Sequence, residues 1–198
     1  MRGFLGFVLG VILVPVAVLL WFNFGRVPVA AADPPFPLER LIVGIPLHAR
    51  IERELVSTSP VPADGGTMMA GAQVYRDQCA VCHGFHGKST SFGVRMYPDA
   101  PQLWEKHSDN DVVGVSDDPP GVTYWKVSNG IRLTGMPAFK RLLTDTQMWQ
   151  VSILLAGADK PLPPAVLDIL RGKGLATPVL AVTAAPSPKQ PAIAAEKK

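Results

Sequence analysis

Five consecutive residues, Cys79-Ala80-Val81-Cys82-His83, carry the clearest chemistry in this chain. Two thiols three positions apart can each add across one vinyl group of a haem, and the adjacent histidine can then ligate the iron. Further along, Gly135-Met136-Pro137 offers a thioether for the opposite face of the iron. Histidine and methionine together are a ligand pair of electron-transfer haems. The two motifs therefore predict one covalently attached haem c.

The motifs have competing interpretations. A zinc site normally uses four ligands, and the chain contains no second cysteine pair. A redox-active cysteine pair is expected beside a βαβ unit, which the sequence does not suggest. For the second iron ligand, Met96 is the main competitor of Met136. Met68, Met69 and Met148 are better explained as residues that pack in the core. His48 and His107 are better explained as surface residues, and His86 is too close to His83 in sequence to reach the other face of the haem.

The N-terminal region predicts a membrane anchor over residues 1–32. Residues 3–24 contain no charged side chain, and these 22 residues can span a hydrocarbon core as a helix, kinked at Pro15. A cleaved signal peptide is the alternative, since Ala30-Ala31-Ala32 offers a cleavage site. The apolar core of a signal peptide is typically about 7–15 residues long. The longer run here favours an uncleaved anchor.

Residues 33–66 are predicted to form a juxtamembrane segment and a linker. A proline-rich stretch follows the anchor and cannot continue a helix. A helical segment is then expected over about 38–56, interrupted or kinked at Pro46. It could lie on the bilayer, pack on the following domain or act as a stalk. Gly65-Gly66, with the prolines before it, marks the linker.

Residues 67–157 are predicted to be the folded domain, and they show no strand-like alternation, so the fold class is all-α. Thr67 is the expected N-cap of its first helix, and Gly130 the C-cap of its second. Thr144 and Gln147 form a capping box that begins the last helix. The three helices are expected over about 68–78, 120–129 and 144–157. The long connection after the first helix is expected where a chain wraps a cofactor.

Residues 158–198 are predicted to be a disordered tail rich in Pro, Ala and Lys, with at most a brief helix near 165–171. The chain carries a formal charge of +3. The predicted domain contains eight basic and eight acidic residues, so the excess lies in the tail. Scattered tail charges do not form a nucleic-acid patch, and no nucleic-acid partner is expected.

Over residues 67–157 the sequence resembles the monohaem class I cytochromes c, and its whole layout resembles their membrane-anchored bacterial type. The resemblance rests on Gly71, Tyr75, the stretch Cys79-Ala80-Val81-Cys82-His83-Gly84 and residues 129–139. It implies a small all-α class I cytochrome c fold wrapped around one covalent haem c, preceded by a transmembrane helix. Cys79 and Cys82 would then hold the thioethers, His83 the proximal iron bond and Met136 the distal one.

The resemblance also implies supporting contacts around the haem. The carbonyl of Pro101 would accept the second ring N–H of His83 and so fix its orientation. Gly71 and Tyr75 would contact the last helix, with Trp149 as partner. Arg95, Arg132 and Trp125 are candidates for contacts with the haem propionates.

The function that the resemblance implies is electron transfer rather than catalysis. Covalent haem c attachment in bacteria takes place outside the cytoplasmic membrane, so residues 3–24 would hold the domain on the periplasmic side of that membrane. Redox proteins, themselves membrane-bound, would be its partners. A haem subunit of a larger respiratory or dehydrogenase complex is one alternative. A haem peroxidase or gas sensor is another, and it would require an open iron site.

Overall fold

The computed structural model of the protein describes residues 2–107 and 111–173, and this part of the chain is helical, without strands. The all-α prediction is therefore confirmed. The α-helices of the described residues are α1 (Arg2–Phe24), α2 (Glu39–Glu54), α3 (Gly65–Val74), α4 (Ala80–His83), α5 (Pro120–Asn129), α6 (Asp145–Leu155) and α7 (Pro164–Leu170). Short 3₁₀ turns occupy Gly93–Arg95 and Phe139–Arg141.

The chain divides into two compact units between Arg53 and Glu54. The first unit contains α1 and most of α2. Gly6–Phe24 of α1 is long and apolar enough to cross a membrane, by length and composition. α2 is assigned as one helix on both sides of Pro46.

The second unit is built on the packing of α3 against α6. The two helices approach closely at Gly71, where an added Cβ would meet the backbone carbonyl of Gln150 and lie 3.2 Å from Cβ of Leu154. The resemblance suggested Trp149 as the partner of Gly71 and Tyr75. The ring of Trp149 stacks on Tyr124 of α5, with the centroids 4.3 Å apart. Trp149 thus joins α6 to α5, while Gly71 permits the contact of α6 with α3.

α3 begins three residues before the sequence predicted, because its N-cap is Asp64 and not Thr67. The Asp64 carboxylate accepts the backbone N–H of Thr67 at 2.8 Å. A carboxylate at this position satisfies an unpaired helix donor and interacts favourably with the positive end of the helix dipole. The cap outweighs the low helix propensity of Gly65 and Gly66, which were assigned to the linker.

The helical segment that begins with α3 continues further than predicted, to His83. The last turn of α3 passes into a π-helical turn, Tyr75–Cys79, and then into α4, which contains Cys82 and His83. The helix ends at Gly84, whose φ of 79° is in the region that favours glycine. π-turns are frequent at functional sites. The sequence alone predicted an end near Gln78.

α5 has the predicted bounds, and α6 begins after the predicted cap Thr144 but ends at Leu155, two residues before the predicted position 157. α5 has Pro120 in its first turn and ends at Gly130, which has a φ of 68°. The capping box of α6 is formed in both directions: Gln147 N–H donates to Thr144 Oγ1 at 3.3 Å, and Thr144 N–H donates to Gln147 Oε1 at 2.9 Å.

The packed core extends beyond the predicted domain end at residue 157. α7 lies within the predicted tail, yet its Val166 and Leu170 are fully buried. The backbone N–H of His86 donates to the carbonyl of Leu170 at 2.9 Å, which ties α7 to the segment after α4. Apolar residues four positions apart share one face, and that is sufficient to dock a short helix. The remainder of the predicted tail, residues 174–198, lies outside the described residues.

Candidate functional site

The two cysteines and His83 are presented on a single helical segment. Cys79 closes the π-turn, and Cys82 and His83 form the last turn of α4. Both thiols are unpaired and partly buried. Residues three positions apart lie on one face of a helix, so the segment directs both thiols to the same side.

The imidazole of His83 is held in one tautomer. Its Nδ1 lies 2.8 Å from the carbonyl oxygen of Pro101, the contact that the resemblance implied. A carbonyl can only accept, so Nδ1 carries the proton and Nε2 keeps its lone pair. Burial lowers the pKa of His83, and the bond to Pro101 opposes this only in part. The neutral ring is therefore favoured, and the lone pair of Nε2 is available to bind a metal.

A second hydrogen bond fixes the backbone directly after His83. The hydroxyl of Tyr75 donates to the carbonyl of Gly84 at 2.7 Å. Tyr75 is fully buried, and its ring packs edge-on against Trp104 with the centroids 5.2 Å apart. Burial raises the pKa of Tyr75, so the hydroxyl stays protonated and able to donate. The sequence singled out Tyr75 for a helix contact but not for this bond.

The loop after α4 folds back onto the cysteine segment. The hydroxyl of Thr90 donates to the carbonyl of Cys82 at 3.1 Å. Gly93 packs so closely that an added Cβ would meet the same carbonyl oxygen. Neither contact could be predicted from the sequence, because no motif marks either residue and the fold of the loop brings both to the carbonyl of Cys82.

Met136 is presented by a tight loop between α5 and α6. Its backbone N–H donates to Thr134 Oγ1 at 3.1 Å, and its carbonyl accepts the N–H of Ile131 at 3.3 Å. Leu133 has a φ of 63°, a conformation that non-glycine residues seldom adopt and that often marks a functional loop. Met136 and Cys79 are both partly buried against the same core cluster. The loop and the cysteine segment are thus anchored to one core.

The competitor Met96 lies beside the same loop. Its terminal methyl group contacts the position that a Cβ on Gly135 would occupy. Met96 is half-buried, as is Met136. Both methionines are therefore near the loop, which makes Met96 the matched control for a test of Met136.

The three residues suggested for propionate contacts are placed differently from one another. The indole N–H of Trp125 donates to the carboxylate of Glu54 at 2.8 Å, so this donor already has a partner. Arg95 donates to the carbonyl of Ser91 at 3.4 Å. Arg132 is exposed. The contact of Trp125 was not predictable from spacing, because Glu54 is distant in sequence.

The donor set fits a covalently attached haem better than the alternatives. Burial raises the pKa of the Cys79 thiol to about 12, with Cys82 adding to the shift, whereas redox-active dithiols have a lowered thiol pKa. In the part of the chain that the structure describes, no three His, Cys, Asp or Glu side chains are grouped to hold a metal ion, as a zinc site would require. Two thiols, an imidazole with an available Nε2 and a thioether packed against the same core as Cys79 match the requirements of haem c.

Two comparisons with known proteins bear on the cofactor. Residues 66–153, which include Cys79, Cys82, His83, Pro101 and Met136, match the family described as cytochrome C oxidase, cbb3-type, subunit III. Thiosulfate dehydrogenase from Stutzerimonas stutzeri (strain A1501) is 27% identical over 128 residues, which is 65% of this chain. The match spans 39% of that protein's own length. No solved structure matches the chain.

The fold and the two matches together support a c-type cytochrome domain. They imply a covalently bound haem c with iron and a role in electron transfer. The helical, strand-free architecture of the described residues is consistent with a small class I cytochrome c fold.

Proposed function

We propose that the protein is a membrane-tethered cytochrome that carries single electrons through one His/Met-ligated haem c on the periplasmic side of a bacterial cytoplasmic membrane. The observation that carries the proposal is the donor set. Cys79 and Cys82 lie on one helical turn, and the Nδ1 of His83 is hydrogen-bonded to Pro101 at 2.8 Å, which leaves Nε2 available.

Each residue of the site would have one task. Cys79 and Cys82 would attach the haem, and His83 would ligate the iron through Nε2, with Pro101 holding the ring. Met136 would supply the sixth ligand from the loop that Thr134 and Gly130 shape. When bound, the haem supplies a one-electron couple, and methionine ligation raises its reduction potential.

Electron transfer is favoured over catalysis by the support that the loop gives to Met136. Its backbone is bonded through both the N–H and the carbonyl, so its position is defined by the loop and not by side-chain packing alone. A filled sixth site would exclude small ligands such as peroxide or carbon monoxide from the iron. A haem peroxidase or gas sensor would require that site to be open.

The apolar helix α1 supports the proposed tether. Gly6–Phe24 is compatible with a membrane span, and attachment of haem c in bacteria would place the domain outside the cytoplasm. Tethering raises the effective concentration of a domain toward partners in the same membrane. We therefore propose membrane-bound redox proteins as partners, which would form small and transient contacts with the domain.

A second candidate is a haem-bearing subunit of a larger respiratory or dehydrogenase complex. Both matches favour it, since one is a family named for an oxidase subunit and the other a dehydrogenase. The chemistry at the haem would be the same in both cases. The two candidates differ in whether other proteins remain bound when the full chain is purified in mild detergent.

The test is the optical spectrum of the full-length protein, oxidised and reduced, with and without carbon monoxide. The expected result is a c-type reduced spectrum, a ferric methionine–iron charge-transfer band and no change with carbon monoxide. A c-type spectrum that shifts readily with carbon monoxide would contradict methionine ligation and favour an open site. Absence of haem in protein from a host competent in haem c attachment would overturn the proposal.

A further inference from the structure

The first half of α2 carries an exposed apolar face. Leu41, Ile42 and Ile45 are 56%, 58% and 61% exposed. Ile45 lies four residues after Leu41 and three after Ile42, so the three side chains share one side of the helix. Beyond Pro46 the same side continues through Ala49 to the charged Glu52. The apolar face is therefore confined to the N-terminal half of α2.

The beginning of α2 lies close to the end of α1. The ring of Trp21, in the last part of α1, is 6.1 Å from the ring of Phe36 and 5.4 Å from that of Phe22. Tryptophan, like tyrosine, is enriched where a membrane-spanning helix meets the lipid headgroups, which favours a position of Trp21 at that level. Phe36 precedes α2 by three residues, so the first turn of α2 lies close to this aromatic cluster at the end of α1.

The connection between the two helices is a set of turns rather than an extended stalk. The Asp33 carboxylate accepts the backbone N–H groups of Val29 and Ala30, both at 2.9 Å. The Glu39 carboxylate accepts the N–H of Phe36 at 2.8 Å. These bonds keep the start of α2 near the end of α1, where an apolar side chain can reach lipid.

We infer that the first half of α2 lies in the membrane surface, with Leu41, Ile42 and Ile45 inserted among the lipid chains. The occupant of the apolar face is lipid because the face is continuous with a helix that is itself exposed and apolar. Apolar faces of this kind bind in the plane of the interface. This inference rests on the proposed function, since it requires α1 to be in the membrane.

The experiment uses the full-length, haem-loaded protein in phosphatidylcholine and phosphatidylglycerol vesicles. The variants Leu41→Cys, Ile42→Cys and Ile45→Cys are each labelled with a nitroxide, and collision rates with oxygen and with a water-soluble nickel complex are measured; Cys79 and Cys82 would be held in thioethers in the haem-loaded protein. Val43 is the matched control, because it is also apolar and 49% exposed but lies off the face. A label at Leu13, within α1, reports the anchor, and the haem spectrum of each variant reports its folding.

We expect a several-fold higher ratio of oxygen to nickel accessibility at Leu41, Ile42 and Ile45 than at Val43. Equal, nickel-accessible signals at all four positions would overturn the inference in favour of a solvent-exposed stalk. Exclusion of both reagents from the three face positions would overturn it in favour of a protein partner. If Leu13 is in lipid and the α2 sites are not, this inference alone fails; if Leu13 is in water, the proposed tether fails with it.

Discussion

The buried hydroxyl of Tyr75 donates a 2.7 Å hydrogen bond to the carbonyl of Gly84, the residue that follows His83. On the other side, the ring of His83 is bonded to the carbonyl of Pro101 at 2.8 Å. The histidine is therefore constrained through its ring and through the backbone of the residue that follows it. This arrangement joins the end of α3, where Tyr75 begins the π-turn, to the segment that would ligate the iron.

Replacing Tyr75 by Phe should destabilise the protein by about 1–3 kcal/mol, because the Gly84 carbonyl would lose its partner in a buried setting. The measurement is denaturant unfolding of the haem-loaded variant. Tyr124→Phe is the control, since the hydroxyl of Tyr124 bonds the exposed Asp145 at 3.1 Å, where water can replace it. Equal losses of unfolding free energy in the two variants would contradict a larger contribution from the buried bond to Gly84.

Replacing Gly71 by Ala should destabilise the protein by about 1–3 kcal/mol, because the new Cβ would meet the backbone of Gln150, which cannot move without shifting α6. Thermal unfolding of the haem-loaded protein measures the effect. Gly65→Ala is a matched control in the same helix, with no atom within 4 Å of the added Cβ. Gly65→Ala should leave the stability unchanged or raise it by at most about 1 kcal/mol. A loss of stability as large as that of Gly71→Ala would contradict the packing argument.

Replacing Asp64 by Asn should lower stability at neutral pH but not in acid. The hydrogen bond from the Thr67 N–H lowers the pKa of Asp64 from its ordinary value of 3.8. A lowered folded-state pKa contributes stability that is present above 3.8 and lost as the pH falls through the folded-state value. The difference in guanidinium midpoint between wild type and variant should therefore be present at neutral pH and vanish in acid. Asp99→Asn, outside any helix, should show no such difference, and a pH-independent gap for Asp64→Asn would contradict the charge argument.

Replacing Met136 by Ala should open the iron to carbon monoxide and lower the reduction potential, because a thioether ligand would be lost while the cysteines and His83 are unchanged. Carbon monoxide difference spectra and a redox titration measure the two effects. Met96→Ala should leave both unchanged. The opposite pattern, with Met96→Ala opening the site, would assign the sixth ligand to Met96.

The helix boundaries that sequence predicted correctly are those set by local chemistry. The capping box of Thr144 and Gln147, and the glycine at position 130, act within a few residues, so their spacing alone specifies the structure. The start of α3 was missed because two residues three positions apart could each cap the helix, and the carboxylate of Asp64, rather than the hydroxyl of Thr67, is the cap. α7 was underestimated because a helix this short is stabilised by the surface on which it packs rather than by its own propensity.

The candidate site divides in the same way. Cys79, Cys82, His83 and Met136 could be proposed from sequence, since residue type and spacing within two short motifs define the chemistry they can perform. The bond of Tyr75 to Gly84, the engagement of Trp125 by Glu54 and the contact of Met96 with the Gly135 loop could not. Each of them joins residues that only the packing of the helices and loops brings together. The sequence by itself therefore determined which groups are available for chemistry, and the tertiary structure decided which of them are held, oriented or already occupied.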